Sequence, residues 1–186
     1  MSRKAAAVVE AVKSYRSADG SPRFVRDVTT LSGYRNQYGA QTFIVDATLG
    51  CDLDAFKEYF AQEHDISMPS SCDGLFLWKD PQGNNDKATR LDRDYSGETL
   101  LFVEFKHAPI FKMANGRVDF LHAGQNGGVD GGCYEASIQK KLEDSCIILM
   151  HTTRSDSSGP VLDFKDCKRM NAAFIVFSSG KNRRIS

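Results

Sequence analysis

The chain has 186 residues, 24 of them Lys or Arg and 24 Asp or Glu, so its formal net charge is zero. It is 41% apolar and 26% charged, the composition of an ordinary globular domain large enough to build its own core. These figures exclude a strongly basic coat protein for nucleic acid and a mini-scaffold held by staples, but not a local binding patch.

The length is that of one domain, expected over 1–186 with a core at about 42–177 and an N-terminal helix packed on it. Cys51, Cys72, Cys133, Cys146 and Cys167 are odd in number and show no CxxC spacing. A zinc ribbon and a disulfide framework are therefore not expected, and scattered thiols suit a reducing compartment. The first fifteen residues lack the long apolar stretch of a signal peptide, and no run reaches the ~20 apolar residues of a membrane span. A cytoplasmic protein without membrane association is expected. Two basic clusters, Lys165/Lys168/Arg169 and Lys181/Arg183/Arg184, read as solvated surface before they read as binding patches.

In chain order, residues 3 to 16 predict a helix, with Val8, Val12 and Tyr15 at helical spacing. Asp19-Gly20-Ser21-Pro22 breaks it. Phe24 to Val28 fits a short strand, followed by a loop rich in Tyr, Gly and Asn. Thr42 to Asp46, β-branched and aromatic, predicts a buried strand. Asp52 or Asp54 is placed to cap a helix through Phe56, Tyr59 and Phe60 to about Glu63. Pro69-Ser70-Ser71 precedes a strand over Cys72 to Trp78. Residues 80 to 98 are polar and read as a long hairpin connection or flap.

Thr99 to Lys106 is apolar almost to its charged end, the pattern of a central strand covered on both faces. Residues 107 to 133 are glycine-rich, with short strands expected around Phe111 and Val118. Residues 134 to 151 predict a long helix with Tyr134, Ile138, Leu142, Ser145, Cys146 and Leu149 inward. After a loop at 155–160, Asn171 to Phe177 is the last strand. A helix crossing between two apolar strands implies an α/β fold with a central mixed sheet flanked by helices. Trp78, Phe102, Phe105, Phe174 and Phe177 are expected in the core.

Glu104 and Lys106 stand two apart at the end of that apolar strand, so they share one face while Phe105 takes the other. Charges there must be paired or bind something. Asp73 opens the neighbouring apolar strand, where it can meet Glu104. An Asp and a Glu side by side make an oxygen site suited to Mg2+ or Mn2+, and an adjacent ammonium can stabilise charge developing on a phosphate.

Asp73 followed by Glu104-Phe105-Lys106 resembles the PD-(D/E)XK nuclease superfamily, the restriction-endonuclease-like fold. That signature is an acid at the start of one strand and an acid-X-Lys triplet on the next, followed by a helix across the sheet. Pro69 stands four residues before Asp73, so Cys72-Asp73-Gly74 replaces the Pro-Asp dipeptide. The likeness covers about residues 42 to 177 in order of elements. It implies a metal-dependent nuclease acting on nucleic acid, DNA rather than RNA, in defence, repair or mobile-element processing. Asp73 and Glu104 would hold Mg2+ or Mn2+, the backbone carbonyl of Phe105 would add a ligand, and Lys106 would orient water and stabilise charge. It also suggests helpers: Glu10 on the first helix, and Gln139, Lys140 or Lys141 on the helix after the triplet. The plainer reading of Glu10 is a solvated helix residue; Lys140 and Lys141 could also grip phosphates.

His64, His107, His122 and His151 show no metal-protease spacing, and glycines 124 to 132 match no phosphate-binding loop. They read as a flexible loop near the site. Asp46 is a weaker third acid, more simply a strand-end or loop cap. Cutting both strands of a duplex needs two sites or a rebinding step, which favours a homodimer, and with zero net charge a partner subunit could supply affinity. The alternative is a non-catalytic nucleic-acid-binding or protein-interaction module, in which Glu104 and Lys106 form a strand-end ion pair.

Overall fold

The structure, a computed structural model, describes residues 4–36, 39–41, 43–79, 98–106, 111–114, 117–120, 134–167 and 170–178. Its elements in order are α1 (Lys4–Lys13), β1 (Val25–Asp27), α2 (Val28–Leu31), β2 (Tyr34–Asn36), β3 (Gly39–Gln41), β4 (Leu49–Asp52) and α3 (Leu53–His64). β5 (Gly74–Lys79), β6 (Glu98–Lys106), β7 (Phe111–Ala114), β8 (Arg117–Phe120), α4 (Tyr134–His151), α5 (Phe164–Cys167) and β9 (Asn171–Ser178) follow.

Five strands form one mixed sheet in the order β1-β4-β5-β6-β9. The first three neighbour pairs are antiparallel, whereas β9 runs parallel to β6. Parallel neighbours need a long crossover, and α4 lies within it, as the sequence predicts. The pairs β2-β3 and β7-β8 form separate two-stranded hairpins.

Helix α1 is shorter than the 3–16 expected, and Tyr15 follows it as a buried ring. Val8, Val9 and Val12 of α1 pack with Leu75, Leu100 and Phe102 of the sheet and Ile148 and Leu149 of α4. Phe56 lies at the centre of an aromatic cluster, 4.9 Å from Phe24 and 5.6 Å from Tyr15, ring to ring. Asp52 caps α3, its side chain accepting from the Ala55 N–H.

Thr42–Asp46 is not a strand. Its described residues, 43–46, form no element, and Val45 is 86% exposed. Side chains of α2 and its cap hold this segment instead: Ser32 Oγ exchanges hydrogen bonds with Ile44, and Thr29 does so with Asp46. The strand falls later, at Leu49–Asp52, where the buried Cys51 faces the core.

Strand β6 is interior to the sheet, but its two faces differ. Leu100 and Phe102 enter the core beneath the helices. On the other face Leu101, Val103 and Phe105 line an apolar cavity of about 320 Å³ with Phe76, Trp78 and Phe177. Val28, Ile44 and Thr48 line the same cavity and Phe43 packs on Phe105, so Val103 and Phe105 are buried, whereas Trp78 and Phe177 are half-exposed rather than core. The polar stretch at 80–97, glycines 124 to 132, His107, His122, Cys133 and the basic residues Lys168, Arg169, Lys181, Arg183 and Arg184 lie outside the described residues. No described helix is long and apolar enough to cross a membrane.

Candidate metal and phosphate site

The pairing of Gly74 with Val103, carried one step further, sets Asp73 opposite Glu104 at the end of the β5-β6 ladder. The Phe105 N–H donates to Asp73 Oδ2 at 2.6 Å, fixing that carboxylate against β6. A residue's N–H and C=O point to the same edge of a strand, so the Phe105 carbonyl faces the same side, past the start of β5. The Phe105 ring takes the opposite face, stacked 5.6 Å from Phe177.

Glu104 is 1% exposed. Its Oε1 lies 2.6 Å from Lys106 Nζ and 2.6 Å from Lys141 Nζ. Its Oε2 is buried with no hydrogen-bond partner among the described residues. Two ammonium groups make burial of this carboxylate tolerable, since an unpaired charge there would cost several kcal/mol, of the order seen for buried ions.

Burial pushes the Asp73 carboxyl up to about 6, and the Glu104 charge adds to that effect. The Phe105 N–H and Lys141 work against it. For Lys141, burial favours the neutral amine, but the charge and hydrogen bond of Glu104 outweigh it and leave the ammonium above its ordinary range. The ends of the site are anchored nearby. The Cys72 N–H donates to Ser145 Oγ at 2.9 Å, and Ser145 Oγ donates to the Lys141 carbonyl at 2.7 Å. The Cys72 thiol is buried and pushed up to about 12, so it is a structural thiol.

Asp73, Glu104 and Lys106 are thus brought together, and Lys141 joins them. The other expected helpers do not. Gln139 bonds Glu143 on the exposed side of α4, and Lys140 pairs with the part-buried Asp144, which accepts from the Ser70 N–H. Glu10 pairs with Lys13 on its own helix and is 69% exposed along its side chain. Asp46 accepts from the Thr48 N–H in an exposed loop, a loop cap rather than a third acid.

The sequence reading missed Asp54. From the first turn of α3 it accepts from Ser71 Oγ at 2.7 Å and pairs with Lys57 at 2.5 Å. Its charge reaches both Asp73 and Lys141. Its local signal reads only as a helix cap, and the nearness to Asp73 is tertiary: the Leu53 N–H donates to the Asp73 carbonyl at 3.2 Å.

The donor set suits a hard cation. The unpartnered Oε2 of Glu104 and an Asp73 carboxyl that resists ionising beside it are what a divalent ion would satisfy. Among the described residues no group of three or more His, Cys, Asp or Glu forms a larger cluster, so the protein would supply two carboxylates and a carbonyl and water the remainder. No family model, no curated protein and no solved structure matches the chain.

Proposed function

We propose that the chain is a metal-dependent nuclease that hydrolyses phosphodiester bonds, with DNA rather than RNA as its substrate. The observation that carries this reading is the fully buried Glu104, bridged on one oxygen by two lysines, bare on the other and set opposite Asp73. In a sheet interior such an arrangement is costly unless it serves binding or chemistry. The strand-strand-helix-strand order around it, with α4 crossing to a parallel β9, is what the restriction-endonuclease-like resemblance calls for.

Asp73, Glu104 and the Phe105 carbonyl would hold Mg2+ or Mn2+. Such an ion, when bound, supplies Lewis-acid charge to a phosphodiester and acidifies a water molecule. The chain's own residues do the rest. Lys106, on the same face as Glu104 and a quarter exposed along its side chain, can hold the attacking water or meet the charge that develops on the phosphoryl oxygens. Lys141, hydrogen-bonded to Glu104 from α4, fixes the position of that carboxylate. The Phe105 N–H orients Asp73. Restriction, repair and mobile-element processing are settings for this chemistry, and paired cuts in a duplex would take a homodimer, a partner subunit or a rebinding step.

The test is cleavage of plasmid, linear and single-stranded DNA and of RNA with Mg2+ or Mn2+, beside Asp73→Ala and Lys106→Ala proteins. Metal-dependent cutting that is lost in both folded variants supports the reading. A second reading has its own observation: Lys106 and Lys141 both already neutralise Glu104, as a structural ion-pair cluster would. On that reading the protein is a non-catalytic nucleic-acid-binding or interaction module, and neither cutting nor a response to metal is expected.

A further inference from the structure

Away from the acids, a polar cavity of about 240 Å³ opens between the start of β1 and α3. Arg23, Arg26, Ser17, Gln62, Tyr59 and Glu58 surround it. The Arg23 guanidinium carbon lies over two aromatic rings, 4.7 Å from the Tyr59 centroid and 5.1 Å from that of Phe24. Contact of this kind holds an arginine in place without using its N–H donors. Arg26 spends one donor on the Val25 carbonyl. Among the described residues neither guanidinium has a carboxylate within ion-pair distance, although Glu58 stands on the cavity wall and the Asp52 charge acts on Arg26.

Position along the sheet relates this cavity to the acids. The Asp52 N–H donates to the Phe24 carbonyl, and Asp52 pairs with Gly74, which pairs with Val103. One step along, Leu53, Asp73 and Glu104 follow, while the Arg23 N–H turns away from the ladder to the Tyr15 carbonyl. Through its neighbour Phe24, the Arg23 backbone is near the level of the acids and two strands from β5, roughly 10 Å at the usual spacing between strands.

We propose that this cavity seats a phosphate of the nucleic-acid backbone, with Arg23 as the preoriented fork and Arg26 as the second cation. The assignment rests on the nuclease reading and adds to it where the substrate strand lies. Two forked cations with polar neighbours recognise a phosphodiester oxygen pair, whereas Glu58 sets a limit on the affinity. The contact would be independent of base sequence.

Binding of a 16-base-pair DNA duplex, followed by fluorescence anisotropy in EDTA between 50 and 200 mM salt, tests it. Wild type is compared with Arg23→Ala, Arg26→Ala, Arg23→Lys and Glu58→Gln, and thermal melts check the fold of each. Loss of one phosphate contact lowers the slope of log affinity against log salt by about 0.9, which at 0.1 M weakens binding about eightfold. That loss is expected for each alanine variant, with partial rescue by Arg23→Lys and tighter binding by Glu58→Gln. Cleavage of the same duplex with Mg2+ or Mn2+ is followed in parallel. If wild type cuts while the folded alanine variants keep its affinity and slope, the phosphate seat is overturned and the nuclease reading stands. If binding depends on the arginines without any cutting, the seat stands and the nuclease reading falls. A wild type that neither binds nor cuts overturns both.

Discussion

The Lys141 ammonium stands 2.6 Å from Glu104 Oε1, the same oxygen that Lys106 reaches from two residues along the strand. One lysine is local to β6 and the other arrives on α4, so the second ties helix to sheet. Replacing it by methionine, Lys141→Met, leaves Glu104 with a single cation in the interior. A loss of about 1–3 kcal/mol in urea unfolding is expected, below the cost of stripping a buried ion of every partner because Lys106 remains. Adding Glu104→Gln to Lys141→Met should cost less than the sum of the two single changes.

The pH dependence of stability follows from Asp73. Its carboxyl titrates near 6 in the folded protein, above the ordinary value near 3.8. Between those values the folded state holds more protons than the unfolded one, so stability falls as pH rises through that window. Above pH 6 the full penalty applies, roughly 2–3 kcal/mol for a shift of this size. Asp73→Asn removes the penalty. Its melting temperature should exceed that of wild type at pH 7.5, and the difference should shrink toward pH 4.

A divalent cation that binds the folded chain alone raises its stability, by about 2.7 kcal/mol at a hundredfold excess over Kd. Mg2+ or Mn2+ should therefore raise the melting temperature of wild type above pH 6. Glu104→Gln and Asp73→Asn should abolish the rise, while Gln139→Ala, whose amide bonds only Glu143, should keep it. A calorimetric scan with and without metal distinguishes the cases.

The core beneath the site makes its own prediction. Phe56 is fully buried and meets Tyr15, Phe24 and Tyr59 through its ring. Phe56→Ala should cost about 3–5 kcal/mol in denaturant unfolding, and Phe56→Leu clearly less.

Asp52 links helix formation to the site, since it caps α3 while the next residue bonds the Asp73 carbonyl. Asp52→Ala should cost about 1 kcal/mol, and Asp52→Ser or Asp52→Asn should restore most of it. Urea melts of the three proteins check the order.

Much of this layout is legible in the sequence, for identifiable reasons. β5, β6, β9 and the crossover helix announce themselves through apolar runs and helical periodicity, and the period of two puts Glu104 and Lys106 together. β4 does not, because Leu-Gly-Cys-Asp lacks β-branched residues, whereas Thr42 to Asp46 has them and is held instead by Ser32 and Thr29. Lys141 could have been separated from Gln139 and Lys140 by helix phase alone. It shares its face with Ser145 and Ile148, while its neighbours pair along their own helix with Glu143 and Asp144. Asp54 is a different case: its local partner is Lys57, and only the return of the chain at Ser71 and Asp73 brings it to the site, which no local pattern encodes.

The crossover also has a consequence for biosynthesis. β5 and β6 leave the ribosome before α4, and β9 comes last. Until α4 emerges, Glu104 has lost water on one side without gaining Lys141, and the outer edge of β6 waits for a strand not yet made. A nascent chain paused at that point is the species that should need a chaperone, and a product ending before residue 134 should be recovered as aggregate rather than as a smaller folded unit.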